Sequence, residues 1–280
     1  MRKAIPTLAG LTLLFFAGAA GAWECRYSAA RNVDLDASSL RSLLLNLGST
    51  DAHVSGVAGL SKIEVRGTAC ASNPEWLKGL QLDTSRNGDN ATVTVYTGHH
   101  DNVFTFFGFS RYAYMKLSVR VPPELAVAIH SGSGDVIAEA LASLDFDAGS
   151  GDLKAHEITG ALAVRVGSGD VDAQSVGSVD LTRTGSGDVT VRGVRGDVHA
   201  DHAGSGDLHF SDVSGGVWVG SVGSGNINLE NISRDVHVGS IGSGDLAVEG
   251  VGGDLQVGAA GSGDVTYHGV KGTVQVPKND

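Results

Sequence analysis

The chain is short of basic residues, of long apolar runs, of proline and of cysteine, and each shortage removes a class of protein. Lys and Arg number 20 against 31 Asp and Glu, a formal charge of -11. Such a surface repels nucleic acid and anionic lipid headgroups, so no nucleic-acid partner is expected. Beyond the first 22 residues no segment is apolar enough to span a bilayer, which takes about 20 apolar residues in a row. The mature protein is therefore expected not to be transmembrane. Five prolines stand against 41 glycines. Valine and leucine are plentiful between the glycines, so this balance points to repeated tight turns rather than disorder. Catalytic signatures are missing too. The serine of the recurring Gly-Ser-Gly-Asp lacks the flanks of a G-x-S-x-G nucleophile elbow, and no paired carboxylates sit on an irregular loop. No catalytic residue, metal ligand or cofactor is assigned.

Only two cysteines are present, Cys25 and Cys70. In an oxidising compartment they are expected to pair. The alternative is two buried free thiols. A loop of this length gives about 4 kcal/mol in the chain-entropy treatment of a disulfide.

What is present begins with a leader. Arg2 and Lys3 precede an apolar stretch from Leu8 to Ala20, and Ala20-Gly21-Ala22 supplies the small residues of a cleavage site. Residues 1–22 read as a secretory signal peptide, with Trp23 as the mature start. Cys25 is not preceded by a lipoprotein box. A periplasmic or secreted location follows as an expectation. Loss of Arg2 and Lys3 takes the formal charge from -11 to -13.

The dominant feature is a repeat. GSGD begins at Gly132, Gly149, Gly167, Gly185, Gly204, Gly242 and Gly261, and GSGN at Gly223. The spacings are 17, 18 and 18, then 19 four times. Counted from the Asp as zero, position one is always a branched apolar residue, from Val136 and Leu153 to Leu246 and Val265. Positions three and six are apolar as well, and in the longer copies so are ten and twelve, as in Val217 and Val219. Apolar residues two apart mark a strand with one buried face. One copy cannot bury that face alone, but stacked copies can. The fold predicted is all-β: a parallel β-solenoid with coils of about nineteen residues, each made of two short strands and two turns. Coils about 4.8 Å apart would make a rod segment of roughly 38 Å.

Residues 23–130 read as an N-terminal cap with the first irregular coils, and 131–280 as the GSGD-repeat solenoid. Leu47-Gly48-Ser49-Thr50-Asp51 is a degraded copy of the turn. Asn73 should cap a short helix from Pro74 to Gly79, and Asn87-Gly88 signals a hairpin. Pro277 and Lys278 would discourage addition of a further strand at the far end.

The GSGDV turns followed by V-x-V strands, behind a signal peptide, resemble the "putative adhesin" families of bacterial β-strand-repeat proteins, DUF4097 and DUF2807 (the head-GIN domain). The resemblance spans about residues 40 to 276. It implies a β-solenoid and a cell-envelope location, and it brings no catalytic residues. Asn226 and the shorter first three coils depart from the pattern.

Three sets of residues are candidate sites. The first is the column Asp135, Asp152, Asp170, Asp188, Asp207, Asn226, Asp245 and Asp264. Stacked carboxylates repel by about 1 kcal/mol per pair in water-like dielectric, and calcium would offset that. The plainer reading is a turn role, with the side chains accepting nearby backbone N–H bonds, the glycines supplying positive φ and the serines bonding along the stack. Asn226 favours it. The second is His199, Trp218 and His237, which share position eleven and should form an outward ladder. The third lies between Tyr96 and Tyr114, which holds seven of the sixteen aromatics. Phe104, Phe106, Phe107, Phe109 and Tyr112 there form either a contact surface or a plug for the first coil. His99, His100 and Asp101 read as loop residues. The functional reading is a non-catalytic exported scaffold for an unidentified envelope or surface partner. The alternatives are a calcium-stabilised rod and a polysaccharide-acting β-helix enzyme.

Overall fold

The computed structural model describes residues 25–98 and 112–277. The leader, Phe104, Phe106, Phe107, Phe109, the His99-His100-Asp101 triplet and Lys278 lie outside the described residues. The expected parallel β-solenoid is the observed fold. Two twelve-stranded sheets face each other, and from Ala126 onward each coil places one strand in each sheet. The strands pair in parallel with those of the coils before and after, in register: Val171 lies between Leu153 and Val189, and Val217 between Val198 and Val236. The predicted columns are therefore continuous. Val136, Leu153, Val171, Val189, Leu208, Ile227 and Leu246 are all buried, as are the position-three residues from Ala138 to Val248. Phe146 and Phe210 are the largest side chains fully enclosed.

The coil length changes partly through a bulge. Val164 pairs with Leu181 but Arg165 with Arg183, so Thr182 is an extra residue in its strand. Later coils keep two adjacent outward-facing residues there, such as Gly220 and Ser221.

The first half is not laid down in sequence order. β1 (Tyr27–Asp36), β2 (Ser42–Gly48), β3 (Asp51–Gly56) and β4 (Lys62–Ala71) precede α1 (Pro74–Gly79). Then come β5 (Gln81–Asn87), β6 (Asn90–Tyr96), β7 (Ala113–Val121), β8 (Ala126–Ser131) and β9 (Val136–Glu139). β2 pairs in parallel with both β6 and β8, and β3 with both β7 and β9. The coil made first is thus enclosed between two made later. Antiparallel strands finish this end. β4 joins β7 and β1, and β5 joins β6 through the Asn87-Gly88 turn, with Gly88 at φ 63°.

The helix forms as its sequence dictates. Asn73 Oδ1 accepts the Glu75 N–H at 2.7 Å, and Pro74 occupies the first turn, where no N–H is needed. Its C-terminal carbonyls are held by Arg31 of β1, which donates to Leu80 O at 2.6 Å and Leu77 O at 3.0 Å. Leu80 is fully buried, and Val33, Leu35, Leu77 and Leu82 pack on the same core.

At the opposite end the first sheet stops at Val265–Val270 and the second at Val274–Gln275. Pro277 follows the strand of the second sheet. Its place is thus beside the edge strand of the second sheet at that end.

Candidate functional site

The GSGD corner is a stack of main chain. Ser150 N donates to Gly132 O at 2.9 Å, and Ser168 N to Gly149 O at 3.0 Å, and so on up the rod. The coils approach so closely that side chains have no room. A Cβ on Gly169, Gly187 or Gly225 would sit 2.1, 1.9 or 1.9 Å from the carbonyl oxygen of the glycine one coil earlier. No glycine of the eight turns has positive φ. This corrects the expectation that they supply left-handed backbone: their role is backbone contact. The serine side chains all face solvent, so the stacking bond belongs to the serine N–H and not to the hydroxyl.

The Asp column forms a ladder of rungs between coils. Asp135 Oδ1 accepts the Asp152 N–H at 3.1 Å, Asp152 that of Asp170 at 2.9 Å, and Asp170 that of Asp188 at 2.9 Å. Asp188, Asp207 and Asp245 serve Asp207, Asn226 and Asp264 in the same way. Asn226 Oδ1 accepts from Asp245 at 2.9 Å, so the amide replaces the carboxylate in the ladder without losing the rung. Asp51 of the degraded first turn is the lowest rung, to Asp135 N at 3.2 Å. Each side chain therefore serves the next coil rather than its own turn. Among the described residues no three His, Cys, Asp or Glu side chains are grouped so as to hold a metal ion.

Two further columns escaped the sequence reading. At position nine, Asp197 Oδ1 accepts from Gly216 N, Asp235 from Asp254 N and Asp254 from Thr273 N, at 2.7 to 2.9 Å. Their nineteen-residue recurrence was the signal that could have revealed them. At position five every copy turns through left-handed backbone: Ala140, Glu157, Ser175, Gly193, Asp212, Asn231, Gly250 and Gly269 have φ between 54° and 73°. Only three of these are glycine, so no motif betrays the column.

His199, Trp218 and His237 lie in register on neighbouring strands of the second sheet, facing outward. The first two rings stack at 4.1 Å with planes 7° apart, and the third follows at 6.3 Å and 13°. His199 Nε2 is 2.8 Å from Asp201 Oδ1. Trp218 remains 36% exposed. A shallow groove runs beside the rings, edged by Asp197, Gly216 and Asp235. The close stack covers one face of Trp218 with the His199 ring.

Elsewhere, Cys25 and Cys70 form a disulfide with Cα atoms 5.6 Å apart. Tyr112 accepts the Arg26 N–H at 3.1 Å, and its own N–H donates to Ser72 Oγ. It is thereby tied to the Cys25 end of the chain and lies far in the fold from Trp218. No described helix is long and apolar enough to cross a membrane.

No protein of curated description matches the chain. Several solved structures share the architecture, two of them as follows. One, described as a "putative adhesin" from Parabacteroides merdae ATCC 43184, is 10% identical with a TM-score of 0.57, covering 86% of this chain and 96% of its own. The other, a "putative adhesin" from Parabacteroides distasonis ATCC 8503, is 14% identical with a TM-score of 0.58, over 86% and 97%. At such identity they speak for the fold alone. The Toastrack DUF4097 family pattern matches residues 75–214 and again 159–276. Together these matches span most of the rod, and the chain belongs to the Toastrack DUF4097 family.

Proposed function

We propose that the chain is a non-catalytic, exported cell-envelope protein whose rod is a scaffold for binding a surface partner. One observation carries this reading. The polar groups that mark the repeat are consumed in holding coils together: Asp Oδ1, Ser N–H and Gly O are all partners of the neighbouring coil. What the rod offers outward is the outer faces of its two sheets, with Trp218 exposed on one of them. The aromatic segment containing Phe104, Phe106, Phe107, Phe109 and Tyr112 is the second proposed contact region. The names of the two structural neighbours agree with this role, and periplasmic or secreted location is part of the same proposal.

The test is capture from native envelope by three forms of the mature protein: unaltered, lacking residues 97–111, and Trp218→Ala. A partner lost with the deletion assigns contact to the aromatic segment, and one lost with Trp218→Ala assigns it to the ladder. The same partners on all three forms would remove both regions. Failure of the unaltered protein to retain any partner would remove the scaffold reading.

A further inference from the structure

The carboxylate column at position nine has a gap. Strand register places Asp197, Gly216, Asp235 and Asp254 one after another along the rod, since Val198, Val217, Val236 and Leu255 pair in that order. Asp197 Oδ1 accepts the Gly216 N–H at 2.9 Å, and Asp235 Oδ1 accepts that of Asp254 at 2.8 Å. Between them Gly216 has no side chain to offer. The Asp235 N–H is therefore left without an acceptor among the described residues. A Cβ on Gly216 would point toward this place, 3.0 Å from Asp235 O and 3.9 Å from Asp235 N. One rung of the ladder is missing, and an atom from outside can supply it.

The gap lies in the groove beside Trp218, whose volume of about 430 Å³ is in the range of small-ligand sites. No Lys or Arg lines that groove. Asp197 and Asp235 stand on either side of the gap, about 10 Å apart at two coil spacings. Each commits Oδ1 to its rung and keeps Oδ2 for a ligand. A group in the gap must accept from the Asp235 N–H. An anion is repelled there by the flanking carboxylates, with Asp180 and Asp201 also close to His199. An ammonium suits the carboxylates but accepts no hydrogen bond. A hydroxyl meets both demands, because it accepts and donates at once. Asp254 and Gln256 place further exposed acceptors one coil on, so a ligand with several hydroxyls is favoured over a simple alcohol. Trp218 is 36% exposed and has one face covered by His199. It adds apolar surface that the C–H face of a sugar ring can cover.

We infer that this groove binds a neutral saccharide, one of whose hydroxyls takes the place of the missing rung. It accepts the Asp235 N–H and donates to a flanking carboxylate. The inference rests on the scaffold reading and gives the ladder region of that reading a ligand class.

Calorimetric titration of the mature protein with cellohexaose, maltohexaose and laminarihexaose as neutral probes should give saturable heat for at least one of them. Oligogalacturonate should bind at least about tenfold more weakly. Gly216→Asp fills the gap and completes the rung. It should lower affinity for the bound probe at least about tenfold while melting no earlier than the parent. Trp218→Ala, at an exposed position, should also weaken binding, and it decides the matter if Gly216→Asp fails to fold. No heat from any neutral probe, oligogalacturonate binding as tightly as the neutral probe, or a folded variant of either kind that binds like the parent would each overturn the inference. Envelope capture by the unaltered protein without heat from any neutral probe would refute this inference alone and leave the scaffold reading standing.

Discussion

A methyl group on Gly187 would sit 1.9 Å from Gly169 O, whereas one on Gly193 would come no closer than 3.7 Å to anything. The two glycines thus predict different costs for the same change. Gly193→Ala meets only left-handed strain, about 1 kcal/mol. Gly187→Ala must push neighbouring coils apart, with a loss expected above about 3 kcal/mol. Urea unfolding of both variants checks the order, and equal losses would refute the contact role of the corner glycines. The Asp ladder invites a second comparison. Asp170→Ala removes an acceptor from the Asp188 N–H and should cost about 1 kcal/mol. Asp170→Asn keeps the rung, as Asn226 does, and relieves repulsion between stacked carboxylates. It should match or exceed the parent in stability, and a loss equal to that of Asp170→Ala would count against the rung. This turn was legible as a corner from spacing alone. Its mechanism was not, because a glycine letter does not say whether it serves a dihedral angle or a close approach.

Among the elements, β1 depends most on partners outside the repeat. Its residues are exposed or half-buried, and its sequence, rich in Asp, Asn and Arg, carries no strong apolar alternation. That is why sequence reading passed over it. It is held instead by the disulfide, by Arg31 on the helix end, and by Asp34, whose carboxyl meets Arg66 and Lys62. The Arg66 hydrogen bond first, then that of Lys62, holds Asp34 below the usual 3.8. A lowered folded value means that this contribution is complete above about pH 3.8 and fades as pH falls through the lower folded value. Amide exchange should accordingly show β1 and the facing half of β4 loosening first on acidification below pH 3.8, before the repeat coils. Uniform loosening along the rod would contradict that. Reducing the disulfide should release the same strand, lowering stability by up to about 4 kcal/mol. The helix and the Asn87-Gly88 hairpin, by contrast, were readable, since capping and turn chemistry are local.

At the scale of the molecule, a rod of equal coils should tolerate loss of a whole one. Removing residues 208–226 joins Asp207 to Ile227 and restores every column, because Leu208 and Ile227 are already register partners. The shortened chain should fold and melt cooperatively near the parent, whereas removing ten residues from the same place should not. Circular dichroism with thermal melting distinguishes them. The sequence periodicity made this architecture visible from Gly132 onward. It could not reveal that β2 and β3 lie between β6 with β7 on one side and β8 with β9 on the other, because a strand pattern specifies a buried face and not a neighbour. That arrangement has a consequence for the order of synthesis. The first coil to leave the ribosome cannot be sandwiched until residues near Glu139 have followed it, so the nascent chain lacks a finished layer for its first half. A chain ended before Val136 should remain open to protease, and one ended after Val176 should resist it. Until then the first half of the chain stays free of a finished fold, whatever later half it is made with.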